Sequence, residues 1–146
     1  MKEPWKWQFR GFESEAEKQP VQAWFDSLQE NDRFEILDLL VYLANQTANL
    51  WRRPEFDPLP GAHGISEIRV PNIRSARGIV TYRIYGYFGP ETQQYCFLHG
   101  TAKDVKNDKH GKGIAERRLD ELRNRKATTH KFSFEKNTVV EIKGRC

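Results

Sequence analysis

The chain has 146 residues, 30% of them charged and 12% aromatic, with a formal net charge of +4. That is enough for one domain with its own hydrophobic core and leaves no room for a second. Two cysteines, Cys96 and Cys146, exclude a disulfide framework and favour a reducing cytoplasm; no apolar run approaches the roughly 18 residues of a membrane span, and the N-terminus lacks the charged-then-apolar layout of a secretory signal.

The charge is unevenly placed. Residues 1–100 carry 11 Lys/Arg against 13 Asp/Glu, whereas residues 101–146 carry 13 against 7. A basic second part is the electrostatic footprint expected for RNA or DNA, although basic surfaces also serve acidic protein partners and solubility.

In chain order, Trp5-Lys-Trp-Gln-Phe-Arg-Gly-Phe12 alternates aromatic with polar and predicts a first strand with Trp5, Trp7 and Phe9 inward. Pro20 suits the first turn of a helix, and Val21, Trp24, Phe25 and Leu28 then form an apolar stripe. After Asn31-Asp32, Ile36, Leu39, Leu40 and Leu43 repeat that spacing, widened by Leu37 and Val41, which predicts a second helix to about Gln46. The short connection implies a helical hairpin packed on a sheet. Pro54, Pro58, Pro60, Gly61 and Gly64 predict a loop over 49–64.

Strand alternation resumes at Ile65–Val70 and puts Glu67 and Arg69 on one face; Pro71 to Gly78 reads as a hairpin connection. Gly78–Phe88 is the longest predicted strand, with Val80, Tyr82, Ile84 and Phe88 on one face and Ile79, Thr81, Arg83, Tyr85 and Tyr87 on the other. Arg83 lies between aromatic residues, as a phosphate ligand beside base-stacking platforms would, Tyr85 among them; an Arg decorating a solvent-facing strand is the plainer alternative. A third strand over Gln93–Gly100 completes an antiparallel meander that brings Arg69, Arg83 and His99 together.

Thr101 to Lys112 reads as a cation-rich loop with Lys103, Lys106, Lys109, His110 and Lys112. Ala115, Leu119 and Leu122 mark the apolar side of a third helix. The alternation over His130–Phe134 and Thr138–Ile142 predicts a terminal hairpin. No His or Cys spacing suggests a metal site, and no Gly-rich phosphate loop is present. What remains is a set of cations on neighbouring strands. These suffice for chemistry when the substrate supplies its own nucleophile, as RNA does with its 2′-hydroxyl, because preorganised Arg and Lys can align it and stabilise the developing charge.

The run Leu59-Pro-Gly-x-x-Gly-Ile-x-Glu-Ile-Arg69, then Tyr82-Arg83-Ile84, then Leu98-His-Gly-x-x-Lys103 and a helix, resembles the HigB-like, phage-derived branch of the RelE/ParE toxin superfamily over about residues 20–125. The resemblance implies one RelE-like α+β domain: a mainly antiparallel twisted sheet, an N-terminal helical hairpin and a C-terminal helix, with residues 126–146 as an extension. It also implies cytoplasmic, metal- and cofactor-independent messenger-RNA cleavage on the ribosome, held in check by a cognate antitoxin of helix-turn-helix type. On this basis Arg69, Arg83 and Lys103 are the charge stabilisers and Lys106 and Lys109 backbone contacts; His99 is the candidate for proton transfer because an imidazole titrates near neutrality, with a structural His at a strand end as the alternative, and Tyr85 is an RNA contact by its place beside Arg83. The sequence departs from the family at three points: Glu67 stands where some relatives have Lys, Asp104 follows Lys103, and no Tyr occurs between Lys103 and Arg125. A non-catalytic ParE-like protein acting on DNA gyrase and an inactive RelE-fold binding protein are the alternatives.

Overall fold

The computed structural model describes residues 5–61, 63–75, 78–102 and 108–134, apart from the side chains of Asn49, Asn72 and Ser75. Lys103, Lys106 and the second half of the expected terminal hairpin lie outside the described residues.

The elements follow in the order β1 (Gln8–Glu13), α1 (Pro20–Asp26), α2 (Glu30–Ala44), a 3-10 turn (Ala48–Leu50), β2 (Phe56–Pro58), β3 (Ser66–Ser75), β4 (Gly78–Phe88), β5 (Gln94–Thr101), α3 (Lys109–Arg123) and β6 (Thr128–Lys131). The described strands form one α+β sheet of order β2-β3-β4-β5-β1-β6. Every pairing is antiparallel except β1 with β5, where Phe9 lies opposite Tyr95. Among the described residues no helix is long and apolar enough to cross a membrane.

The two faces of the sheet are covered differently. Against α1 and α2 lies an aromatic core that includes Trp7, Phe9, Phe25, Ile36, Leu40, Leu43, Trp51, Phe56, Ile84, Tyr95 and Phe97. Its rings interlock: Phe9 stacks on Phe97 with centroids 5.1 Å apart, and Phe132 meets Phe97 edge-on at 4.9 Å. The stripes expected of α1 and α2 point this way, and Trp5 packs against the same core. On the opposite face α3 lays Ala115 and Leu119 over a smaller cluster of Ile65, Tyr85, Cys96 and Leu98.

Three boundaries differ from the sequence expectation. β3 does not stop at Val70 but runs through Pro71 to Ser75, with a register irregularity between Val70 and Ile73. Proline is tolerated there because β2 pairs β3 only from Ser66 to Ile68, so no described strand calls for the missing N–H. α3 begins at Lys109, and Lys109, His110 and Lys112 are helical instead of loop residues. The reason is Asp108, which caps the helix by accepting from the Gly111 amide at 3.0 Å. β6 starts at Thr128 and pairs with β1, not with a terminal hairpin partner among the described residues; Phe132 beyond it enters the aromatic core.

Candidate functional site

Alternation along β3 and β4 turns Glu67, Arg69, Arg83 and Tyr85 toward the α3 side, as Ile68, Val70, Tyr82 and Ile84 go to the aromatic core. The register sets these side chains in rows. Glu67 lies opposite Tyr85, and Tyr85 opposite His99 on β5; one pair further, Arg69 lies opposite Arg83 and Arg83 opposite Thr101. Arg69, Arg83 and His99 thus stand on three adjacent strands, Arg69 and Arg83 in one row and His99 in the row of Tyr85.

Two arginines facing each other across a ladder repel. Glu67 resolves this by bridging them: its Oε1 accepts from Arg69 Nη2 at 2.8 Å and its Oε2 from Arg83 Nη1 at 3.0 Å. The Glu67 and Arg83 side chains are 3% and 10% exposed, whereas Arg69 is 33% exposed and forms the solvent edge of the trio. Burial makes such a bridge strong in Coulombic terms and costly in desolvation, so the trio is weak evidence for stability and better evidence for a positioned charge. The bridge leaves donors over. The Nε groups of both Arg69 and Arg83 are buried and have no hydrogen-bond partner, and a carboxylate with two bonds still has lone pairs to offer. Glu67, which the sequence reading treats as a departure from the family, thus becomes the centre of the cluster.

Tyr85 is fully buried. It offers no open ring face to a base, which corrects the expectation that it is a stacking platform: α3 packs over it, and its hydroxyl donates to Asp108 Oδ2 at 3.1 Å. Burial first, then the nearby Glu67 and Asp108 carboxylates, push its phenol far up, so it stays a neutral donor. Its role is to tie the start of α3 to the sheet beside Glu67. Gly111 completes this joint, because a Cβ there would sit 2.2 Å from Asp108 Oδ2 and 3.0 Å from the Tyr85 ring. The His99 ring lies parallel to Tyr85 with centroids 6.3 Å apart.

Of the remaining expected contacts, Lys109 is exposed in the first turn of α3, next to the capping Asp108. Lys103 follows Thr101 by two positions in the sequence. Asp108, Gly111 and Arg118 were not singled out by sequence. An Asp immediately before a helix is a recognisable N-cap; Arg118, which bonds the Leu98 carbonyl at 2.8 Å and lies over the Phe12 ring, is lost among three arginines on one helix. A cleft of about 330 Å³ sits at the far end of α3 between Tyr87, Leu122, Arg123 and Thr129, away from the arginine pair. Among the described residues no group of three or more His, Cys, Asp or Glu is placed to share a metal ion.

Comparison of the chain with protein-family models, with curated proteins and with solved structures gives no match.

Proposed function

We propose that this chain is a messenger-RNA endonuclease of the RelE/HigB type, the toxin of a toxin–antitoxin pair. The observation that supports the reading is the juxtaposition of a carboxylate, two guanidiniums and an imidazole on three adjacent strands. Strand cleavage by the 2′-hydroxyl can use those parts as base, charge stabilisers and acid. The 2′-oxygen bonds to phosphorus as its proton passes to a base, and Glu67 supplies that base. The two arginines stabilise the charge that gathers on the phosphoryl oxygens. The bond from phosphorus to the 5′-oxygen breaks, and the leaving oxygen takes its proton from His99. The products are a 2′,3′-cyclic phosphate and a 5′-hydroxyl, so atoms and protons balance with these residues alone. Lys103 adds a third cation and Lys106 and Lys109 extend the backbone contact. The partners are messenger RNA on the ribosome and a cognate antitoxin of helix-turn-helix type.

A second reading, an inactive RelE-fold binding protein, is favoured by one observation: Glu67 already neutralises one of the two guanidiniums. Induced expression separates the two. Endonuclease activity gives growth arrest with new RNA 5′ ends clustered at codons, and Arg83→Gln abolishes both. Arrest by the wild-type protein without new ends, accompanied by supercoiling inhibition, indicates the gyrase-directed alternative, and no arrest at all indicates the inactive one.

A further inference from the structure

Among the described residues the α3 side of the sheet is covered only in part. α3 begins above Tyr85, and the strands continue away from it for another five residues of β4 beyond Arg83, about 17 Å at 3.3 Å per residue. The register places Arg74 opposite Ile79, with Ile73 and Val80 turned to the aromatic core. Arg74 and Ile79 therefore share the face of Arg69 and Arg83, with Thr81 between Ile79 and Arg83 along β4. This half of the hairpin is open: Arg74 is exposed and Ile79 is 68% exposed, more than any other large hydrophobic residue described.

Resting on the ribonuclease reading above, we infer that this open half of the β3–β4 hairpin is a second contact surface for the same single-stranded RNA, on which Arg74 holds a backbone phosphate and Ile79 packs against an unstacked base. Charge supports this occupant, since residues 66–83 contain four Arg, no Lys and one Glu, and the planar fork of Arg suits phosphate. So does size. One isoleucine on an arginine strip is far short of the roughly 800 Å² per partner that a stable protein interface buries, whereas it matches the face of one base. Position completes the argument, because Arg74 and Ile79 lie on the same face of the same two strands as the partly exposed Arg69.

The test is fluorescence anisotropy with a short 2′-O-methyl oligoribonucleotide, which binds but lacks the attacking hydroxyl, across a series of salt concentrations. Arg74→Gln is expected to weaken binding and to reduce the slope of log affinity against log salt by about 0.7, the value for one phosphate contact on a single strand. Ile79→Ser is expected to weaken binding about fivefold at every salt concentration, the low end for loss of one base contact. A parent protein that binds no RNA overturns this inference, while the ribonuclease reading stands or falls separately with cleavage on programmed ribosomes. A parent that binds, with both variants matching its affinity and slope, overturns this inference alone. Loss of self-association in light scattering by Ile79→Ser, with RNA affinity intact, also overturns it and makes the patch a contact between copies of the chain.

Discussion

The two faces of one sheet have been put to different uses. Toward α1 and α2 nearly every side chain is aromatic or aliphatic, and the rings of Phe9, Phe97, Trp51 and Tyr95 fill the space between layers. Toward α3 the same strands carry Glu67, Arg83, Arg69 and Tyr85, and the apolar cluster there is small. The α3 side holds a bridged arginine pair whose two Nε groups are buried and unpartnered. The contrast places most of the apolar burial on the first face and the buried charge of Glu67 and Arg83 on the second.

Breaking the stable face gives the largest effect. Phe97→Ala, at a residue 1% exposed in the middle of the aromatic core, is expected to lower the unfolding free energy by about 3–5 kcal/mol. Urea titration measures this, and the folded fraction should still bind RNA.

Breaking the charged face is expected to separate stability from function. Glu67→Gln leaves two guanidiniums opposite each other without their bridge, with an expected loss of about 3 kcal/mol, at the lower end for a buried pair because Arg69 is one-third exposed. Binding to RNA should strengthen as positive charge is released, while cleavage is lost with the base. Weaker binding together with unchanged cleavage would show that Glu67 has no part in the chemistry.

The joint between the faces is the next target. Asp108→Ala removes the N-cap of α3 and leaves the buried Tyr85 hydroxyl without its acceptor, an expected loss of about 1–2 kcal/mol. Hydrogen exchange should show the first turn of α3 opening first.

The last effect is confined to alkaline pH. Burial holds the Cys96 thiol up at about 12 against 9.0 for the unfolded chain. Between those values the unfolded chain has lost a proton that the folded one keeps, so stability is full below about pH 9 and falls as pH rises toward 12. Cys96→Ala should flatten the first part of that decline, and an unchanged slope would mean that another group causes it. Burial likewise pushes Tyr87 up to about 12, which contributes in the same direction.

The legible part of this fold was the part governed by periodicity. The stripes of α1 and α2, the length of β4 and the shared face of Glu67 and Arg69 follow from spacing alone, because burial on one face enforces it. The start of α3 was not legible from apolar spacing, since its first turn is fixed by Asp108 and lacks a hydrophobic stripe. The continuation of β3 through Pro71 was hidden because proline reads as a stop unless the strand is known to have an open edge. Tyr85 was misread for a similar reason: alternation gives the face a residue points to, but not which element will cover that face. Glu67 was visible as a neighbour of Arg69 two residues away, yet its second partner, Arg83, is set by cross-strand register.

The most direct test of the arginine cluster as a cleavage site is the chemistry of the RNA ends produced by purified protein on programmed ribosomes. The account predicts 2′,3′-cyclic phosphate and 5′-hydroxyl termini, lost with Arg83→Gln and absent when the 2′-position at the scissile nucleotide is methylated. Cleavage of the methylated substrate, or full activity of Arg83→Gln, would contradict it.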